Sequence, residues 1–138
     1  MDRNGSARWE GDLKQGSGTF ALGSGALAGA YSFATRFGDT PGTNPEELIA
    51  AAHAACFSMA FAAGLSKVGF VPTSVETTAT VRLGLVNGLF EIVGIDLSCH
   101  AVAGNISAEL LQSTAEDAKK NCPVSKALNA VPISLTLT

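Results

Sequence analysis

The fold turns on one stretch: Thr43-Asn44-Pro45-Glu46-Glu47-Leu48-Ile49-Ala50-Ala51-Ala52-His53-Ala54-Ala55-Cys56-Phe57-Ser58-Met59-Ala60. It begins as a helix should. Asn44 can cap, Pro45 suits the first helical position, and Glu46 and Glu47 place acids in the first turn. Glu47 also falls three residues after Asn44, where a capping-box acid belongs. The pattern predicts a helix to about Ser66, with Gly69 as its stop. This helix is apolar nearly all round, which predicts burial on most faces. In a two-layer domain that means packing on a sheet and on another helix, one that a second subunit can supply. Residues 48–65 are also long and apolar enough to mimic a membrane span. They are rich in alanine, however, and carry His53, Ser58 and two acids at their head, so they read as the buried helix of a soluble protein.

Upstream the chain reads as β. Residues 7–13 and 19–22 flank Lys14-Gln15-Gly16-Ser17-Gly18, a hairpin-type loop, and Tyr31-Ser32-Phe33 is a third strand. Residues 37–42 form a loop. Downstream, Val75, Thr77, Ala79, Val81, Leu83 and Leu85 share one face of a strand. Asn87-Gly88 signals a type I′ turn, and Val93, Ile95, Leu97, Cys99 and Ala101 share a face of the return strand. Cys99 is thereby a small core residue. A second helix is predicted over 107–121, capped by Ser107 and broken by Pro123. One further helical turn follows over 124–128, then a strand over 132–138. The order βββ-α-ββ-α-β makes an α+β domain with antiparallel sheet.

The 138 residues suit a single domain, 1–138. With 46% apolar and 15% charged residues, an oligomer is a natural way to hide surface. A net charge of −3 and no basic cluster beyond Lys119-Lys120 argue against a nucleic-acid partner. Residues 1–5 lead into polar sequence rather than a signal peptide, so a cytoplasmic location is expected. In that reducing compartment the three cysteines are expected to be catalytic, ligating or buried rather than structural disulfides.

Two of them stand in unusual settings. Cys56 lies mid-helix. Cys122 lies at a helix break, in Lys119-Lys120-Asn121-Cys122-Pro123-Val124-Ser125-Lys126. If the two thiols meet, the chain is a two-cysteine redox protein. Pro123 at a first helical position puts Cys122 near an N-cap, where the dipole favours a thiolate. Cys56 is too deep in its helix for that help, so the local chemistry favours Cys122 as the more acidic thiol. A zinc site from His53, Cys56, Cys122 and Cys99-His100 lacks any CxxC pair and fits poorly, and no metal is expected. His53 by itself reads as a helix histidine satisfied by its surroundings. A serine hydrolase would need a GxSxG elbow, which is absent.

Gly42–Met59 and Asn121-Cys122-Pro123-Val124-Ser125 together resemble the OsmC/Ohr family, the osmotically inducible protein C and organic hydroperoxide resistance proteins. Residues 9–18 and Tyr31-Ser32-Phe33-Ala34-Thr35-Arg36-Phe37 look like its OsmC branch, and the likeness runs along essentially the whole chain. It implies an intertwined homodimer with sheets around a long central helix, and thiol-dependent peroxidase activity without a cofactor. It implies Cys56 as the reactive and Cys122 as the resolving cysteine, Arg36 as the catalytic arginine and Glu46 as the catalytic glutamate. The substrate is then a hydroperoxide and the reductant an external, lipoyl-type dithiol. The cation beside Cys56 is then Arg36, which overrides the local dipole argument. Phe33, Phe37, Phe57, Met59 and Phe61 are candidates for an apolar mouth. The alternative is a non-enzymatic ligand-binding or interaction protein of the same fold, and the four intact site residues argue against it.

Overall fold

The computed structural model describes residues 1–138, which form two compact units, Met1–Leu48 and Ile49–Thr138. In the first unit, strands β1 (Gly5–Glu10), β2 (Ser17–Leu22) and β3 (Ala28–Ser32) form an antiparallel sheet in sequence order. β1 stops earlier than the sequence suggests. Gly11 turns the chain at φ 89°, and the Asp12 carboxylate accepts hydrogen bonds from the Lys14 and Gln15 amides at 2.8 and 2.9 Å. A side chain that satisfies its own neighbouring amides competes with strand pairing.

A short helix, α1 (Phe33–Phe37), was not expected. Ser32 and Thr35 make a reciprocal capping box: the Thr35 amide donates to Ser32 Oγ at 3.2 Å and the Ser32 amide to Thr35 Oγ1 at 2.9 Å. The spacing Ser32-Phe33-Ala34-Thr35 carries that signal with a threonine where glutamate is usual, which hid it.

Helix α2 (Pro45–Lys67) matches its sequence reading. The Glu47 amide donates to Asn44 Oδ1 at 2.9 Å, and Gly69, at φ 92°, ends the run. In the second unit its buried residues are His53, Phe57, Phe61 and Leu65, one stripe at four-residue spacing. Phe57, Phe61 and Leu65 form the core with Leu97 and Cys99 and with Ala115, Ala118 and Cys122. Burying each phenylalanine is worth about 2–3 kcal/mol. The other faces of α2 are less covered than its all-round apolarity predicts. Ala51, Ala55, Met59 and Ala63 form an exposed apolar stripe, with Met59 at 75% exposure.

Strands β4 (Ser74–Val86) and β5 (Leu89–Val102) form the expected hairpin, with Asn87 and Gly88 both at positive φ (51° and 83°) as a type I′ turn requires. A register shift between Arg82 and Leu83 corrects the predicted face. Arg82 pairs with Gly94 but Leu83 with Ile92, so Val93 is the extra residue and stands exposed. Ile95, Leu97 and Cys99 keep the buried phase. Helix α3 (Ala108–Asn121) is capped by Ser107 Oγ, which accepts from the Leu110 amide at 3.2 Å, and α4 (Pro123–Ala127) follows. Strand β6 (Ile133–Leu137) pairs with β5 in parallel, so this sheet is mixed rather than wholly antiparallel. A parallel neighbour needs a crossover connection, and α3 with α4 provides it.

Candidate active site

Arg36 closes α1 and Glu46 opens α2. Thr35 Oγ1 donates to the Thr43 carbonyl at 2.9 Å, which ties the two helix ends together. Arg36 Nε lies 3.2 Å from both Glu46 carboxylate oxygens, and Nη2 lies 2.7 Å from Oε1. This forked, charge-assisted grip fixes the guanidinium plane, which a lysine could not do. The Arg36 guanidinium also lies 5.1 Å from the centre of the Phe37 ring.

The same unit holds a cavity of about 240 Å³ lined by Trp9, Leu13, Tyr31, Phe33, Arg36 and Phe37. Trp9 packs against Tyr31 with ring centres 5.5 Å apart, and Phe33 against Phe37 at 4.9 Å. The result is an aromatic chamber with one cation in its wall. Phe33 and Phe37, two of the candidates for an apolar mouth, are in the wall of this cavity. Phe57 and Phe61 are not: both are fully buried in the core of the second unit, on the inward stripe of α2. Trp9 and Tyr31 went unassigned as pocket residues, because strand residues reveal their facing only once the register is known.

The second unit brings the two thiols together. Cys122 Sγ and Cys56 Sγ lie 3.0 Å apart, within hydrogen-bonding distance, though the cysteines are 66 residues apart in sequence. Cys122 is fully buried at the junction of α3 and α4, where it is the N-cap of α4, and Cys56 is partly exposed. Burial acts to raise the Cys122 pKa. The neighbouring polar groups, Cys56 first and then Ser125 and Val124, outweigh it, and the pKa falls below the ordinary thiol value. The Cys56 pKa is pushed up by burial, by its hydrogen bond with Cys122 and by the charge there, against one helping amide, that of Val124. Within this unit Cys122 is the more acidic of the two thiols, chiefly through its Cys56 neighbour. Cys99 is a buried core residue whose thiol accepts a hydrogen bond from Thr77 Oγ1 at 3.3 Å, and burial raises its pKa.

His53 is fully buried one turn before Cys56. Its Nε2 lies 2.8 Å from Ser125 Oγ, and its Nδ1 is buried with no hydrogen-bond partner. The expected satisfied histidine is thus satisfied at one nitrogen only.

The family comes from comparison with known proteins. Residues 37–136 match the family model described as OsmC-like protein, and the chain belongs to that family. It is 48% identical over 131 residues to Peroxiredoxin OsmC of Escherichia coli (strain K12), covering 94% of this chain and 92% of that one. It is 39% identical over 99 residues to the Organic hydroperoxide resistance protein of Xanthomonas axonopodis pv. citri (strain 306), covering 70% and 67%. The organic hydroperoxide resistance protein OhrB of Bacillus subtilis has a similar fold, with a TM-score of 0.77 and 26% identity over 98% of each chain.

Proposed function

We propose that this OsmC-family peroxidase reduces organic hydroperoxides through a two-cysteine cycle, as part of a peroxide-related stress defence. The observation that carries the reading is the 3.0 Å approach of Cys56 and Cys122. The Cys56 thiolate attacks the distal peroxide oxygen. The O–O bond breaks, the leaving alkoxide takes a proton to become the alcohol, and Cys56 becomes a sulfenic acid. The Cys122 thiolate then attacks the Cys56 sulfur, the hydroxyl leaves as water after gaining a proton, and a disulfide forms. An external dithiol of lipoyl type returns both sulfurs to thiols and is itself oxidised to a disulfide.

Arg36 and Glu46 supply what Cys56 lacks. Its thiol is raised by burial and by Cys122, and a guanidinium held in place by a carboxylate reverses that. Glu46 and Cys56 are ten residues apart on one continuous helix, about 15 Å along its axis and about 80° around it. One arginine gripping Glu46 does not readily serve the Cys56 of its own chain. Two α2 helices packed antiparallel in a homodimer bring the Arg36–Glu46 pair of one chain to the thiols of the other. The exposed stripe of Ala51, Ala55, Met59 and Ala63 supports this packing, since small residues let helices approach closely. The aromatic cavity beside Arg36 favours an apolar peroxide tail over hydrogen peroxide. We place the protein in the cytoplasm, where dithiol reductants are maintained.

The test is peroxide consumption with cumene, lipid and hydrogen peroxides, driven by dihydrolipoamide or by thioredoxin. The reading predicts fastest turnover with an organic peroxide and dihydrolipoamide. No turnover with any peroxide in the presence of either dithiol contradicts it.

A further inference from the structure

A second link runs beside the two thiols, and the two-cysteine cycle makes no use of it. His53 Nε2 lies 2.8 Å from Ser125 Oγ, and both residues are buried. His53 and Cys56 are three residues apart on α2, so they are neighbours on one face of that helix. Cys122 and Ser125 are also three residues apart. The Cys122 amide donates to the Ala118 carbonyl at 2.8 Å, closing α3, and the Cys122 carbonyl accepts from the Lys126 amide at 3.0 Å, opening α4. Cys122 is thus the joint between the two helices. The contacts Cys56–Cys122 and His53–Ser125 lie side by side, one helical turn apart, and join the same two elements.

Helix α4 has little else to hold it. It is five residues long, with Pro123, Lys126 and Ala127 exposed, Val124 half-buried and Ser125 its one buried residue. A helix that short has no stability of its own. Val124 packs against the core, but an apolar contact has no direction and lets a helix slide. A hydrogen bond fixes both length and angle. This one also comes at a cost, because His53 Nδ1 is left buried without a partner. An apolar pair would fill the same space with no orphaned atom, so the polar pair calls for a reason other than stability.

We infer that His53 and Ser125 are positioning residues for the resolving thiol: their hydrogen bond clamps the start of α4 to α2 and so fixes the Cys122 sulfur within reach of Cys56. The inference rests on the reading of Cys122 as the resolving cysteine. The sulfurs stand 3.0 Å apart as thiols, and a disulfide needs about 2.05 Å. Closure therefore asks for an approach of about 1 Å, which side-chain rotation can cover while α4 stays in place. In that step the Cys122 thiolate attacks the Cys56 sulfenic sulfur. The S–S bond forms, the S–O bond breaks, and the hydroxyl leaves as water after gaining a proton. The rate of such an intramolecular step depends on how well the reacting atoms are held in line. At equilibrium the clamp raises the effective concentration of one thiol towards the other, which favours the disulfide over the dithiol.

The experiment follows single turnovers with cumene hydroperoxide in Ser125→Ala, which removes one oxygen, alongside His53→Leu and His53→Gln. Disulfide closure is measured up to its high-pH plateau, where Cys122 is fully ionised and its acidity no longer limits the rate. In Ser125→Ala the plateau rate should fall about tenfold, the effect of one hydrogen bond on alignment. The effective concentration of the two thiols, measured by equilibration with glutathione, should fall about tenfold as well. Oxidation of Cys56 should stay within about twofold of the parent rate, a split that general loosening of the fold would not produce. His53→Leu should copy Ser125→Ala, and His53→Gln, which keeps an N–H where Nε2 stood, should recover most of the plateau rate. If Ser125→Ala does not fold, His53→Leu gives the same readings from the other side of the bond. A parent-like plateau and effective concentration in folded Ser125→Ala overturn the clamp and leave the cycle standing, even where the pH midpoint moves. Closure as slow in His53→Gln as in His53→Leu also overturns it. Full turnover in Cys122→Ser overturns the resolving role itself, and the clamp with it.

Discussion

Arg36 and Glu46 form a forked ion pair, with Arg36 Nη2 2.7 Å from Glu46 Oε1 and Nε 3.2 Å from both carboxylate oxygens. The Glu46 side chain is largely buried and the Arg36 side chain about one-third exposed, so the pair is only partly screened by solvent. On the proposed reading, the fork holds one guanidinium edge in a fixed orientation for the Cys56 thiolate. Arg36→Lys keeps the charge but loses the fork. It is expected to slow Cys56 oxidation by about tenfold or more, the effect of one charge-assisted hydrogen bond, with little change in melting temperature. Stopped-flow oxidation with cumene hydroperoxide measures this, and a lysine variant that reacts at the parent rate removes any need for the fork.

Sharing of the site between two chains is tested by mixing inactive proteins. Glu46→Ala and Cys56→Ser chains should each be nearly dead alone. Heterodimers of the two should regain one working site, with intact Glu46 and intact Cys56 contributed by different chains. Verified, folded heterodimers that stay inactive would place Glu46 with the Cys56 of its own chain.

Cys99 is expected to be structural. It is buried among Leu97, Ala115 and Phe61, and its sulfur accepts from Thr77. Cys99→Ala should keep full turnover and lose about 1 kcal/mol in denaturant unfolding, as small core deletions do. Loss of peroxidase activity in the folded variant would contradict this.

His53 makes stability depend on pH. Its folded-state pKa lies below the ordinary imidazole value of 6.5 because burial disfavours the cation. Between the two values the unfolded chain binds the extra proton, so this contribution is present above pH 6.5 and is lost as pH falls through the folded pKa. Melting temperatures at pH 7.5 and 5.5 should therefore fall further for the parent protein than for His53→Gln, measured in the same buffers. An equal fall in both proteins argues that His53 does not titrate on unfolding.

Much of the architecture is readable before any coordinates. The N-terminus of α2 is written in Asn44-Pro45-Glu46, the hairpin turn in Asn87-Gly88 and the break between α3 and α4 in Pro123, because each residue type imposes its own backbone geometry. What escaped were features that depend on partners distant in sequence. The parallel pairing of β6 needs the crossover, the exposure of Val93 needs the register shift, and the His53–Ser125 contact joins residues 72 positions apart. The site divides in the same way. The two cysteine motifs are local and legible, but the lowered pKa of Cys122 owes most to Cys56, 66 residues away in sequence. The roles of Arg36 and Glu46 came only from the family resemblance, because the short helix that carries Arg36 hid behind an unusual capping box.

The most direct test of the cycle is trapping with dimedone after one equivalent of cumene hydroperoxide, read by mass spectrometry in Cys122→Ser and Cys56→Ser proteins. The cycle predicts a stoichiometric adduct on Cys56 in Cys122→Ser, and neither adduct nor turnover in Cys56→Ser. An adduct on Cys122 in Cys56→Ser, with turnover retained, would contradict the assignment of the two thiols.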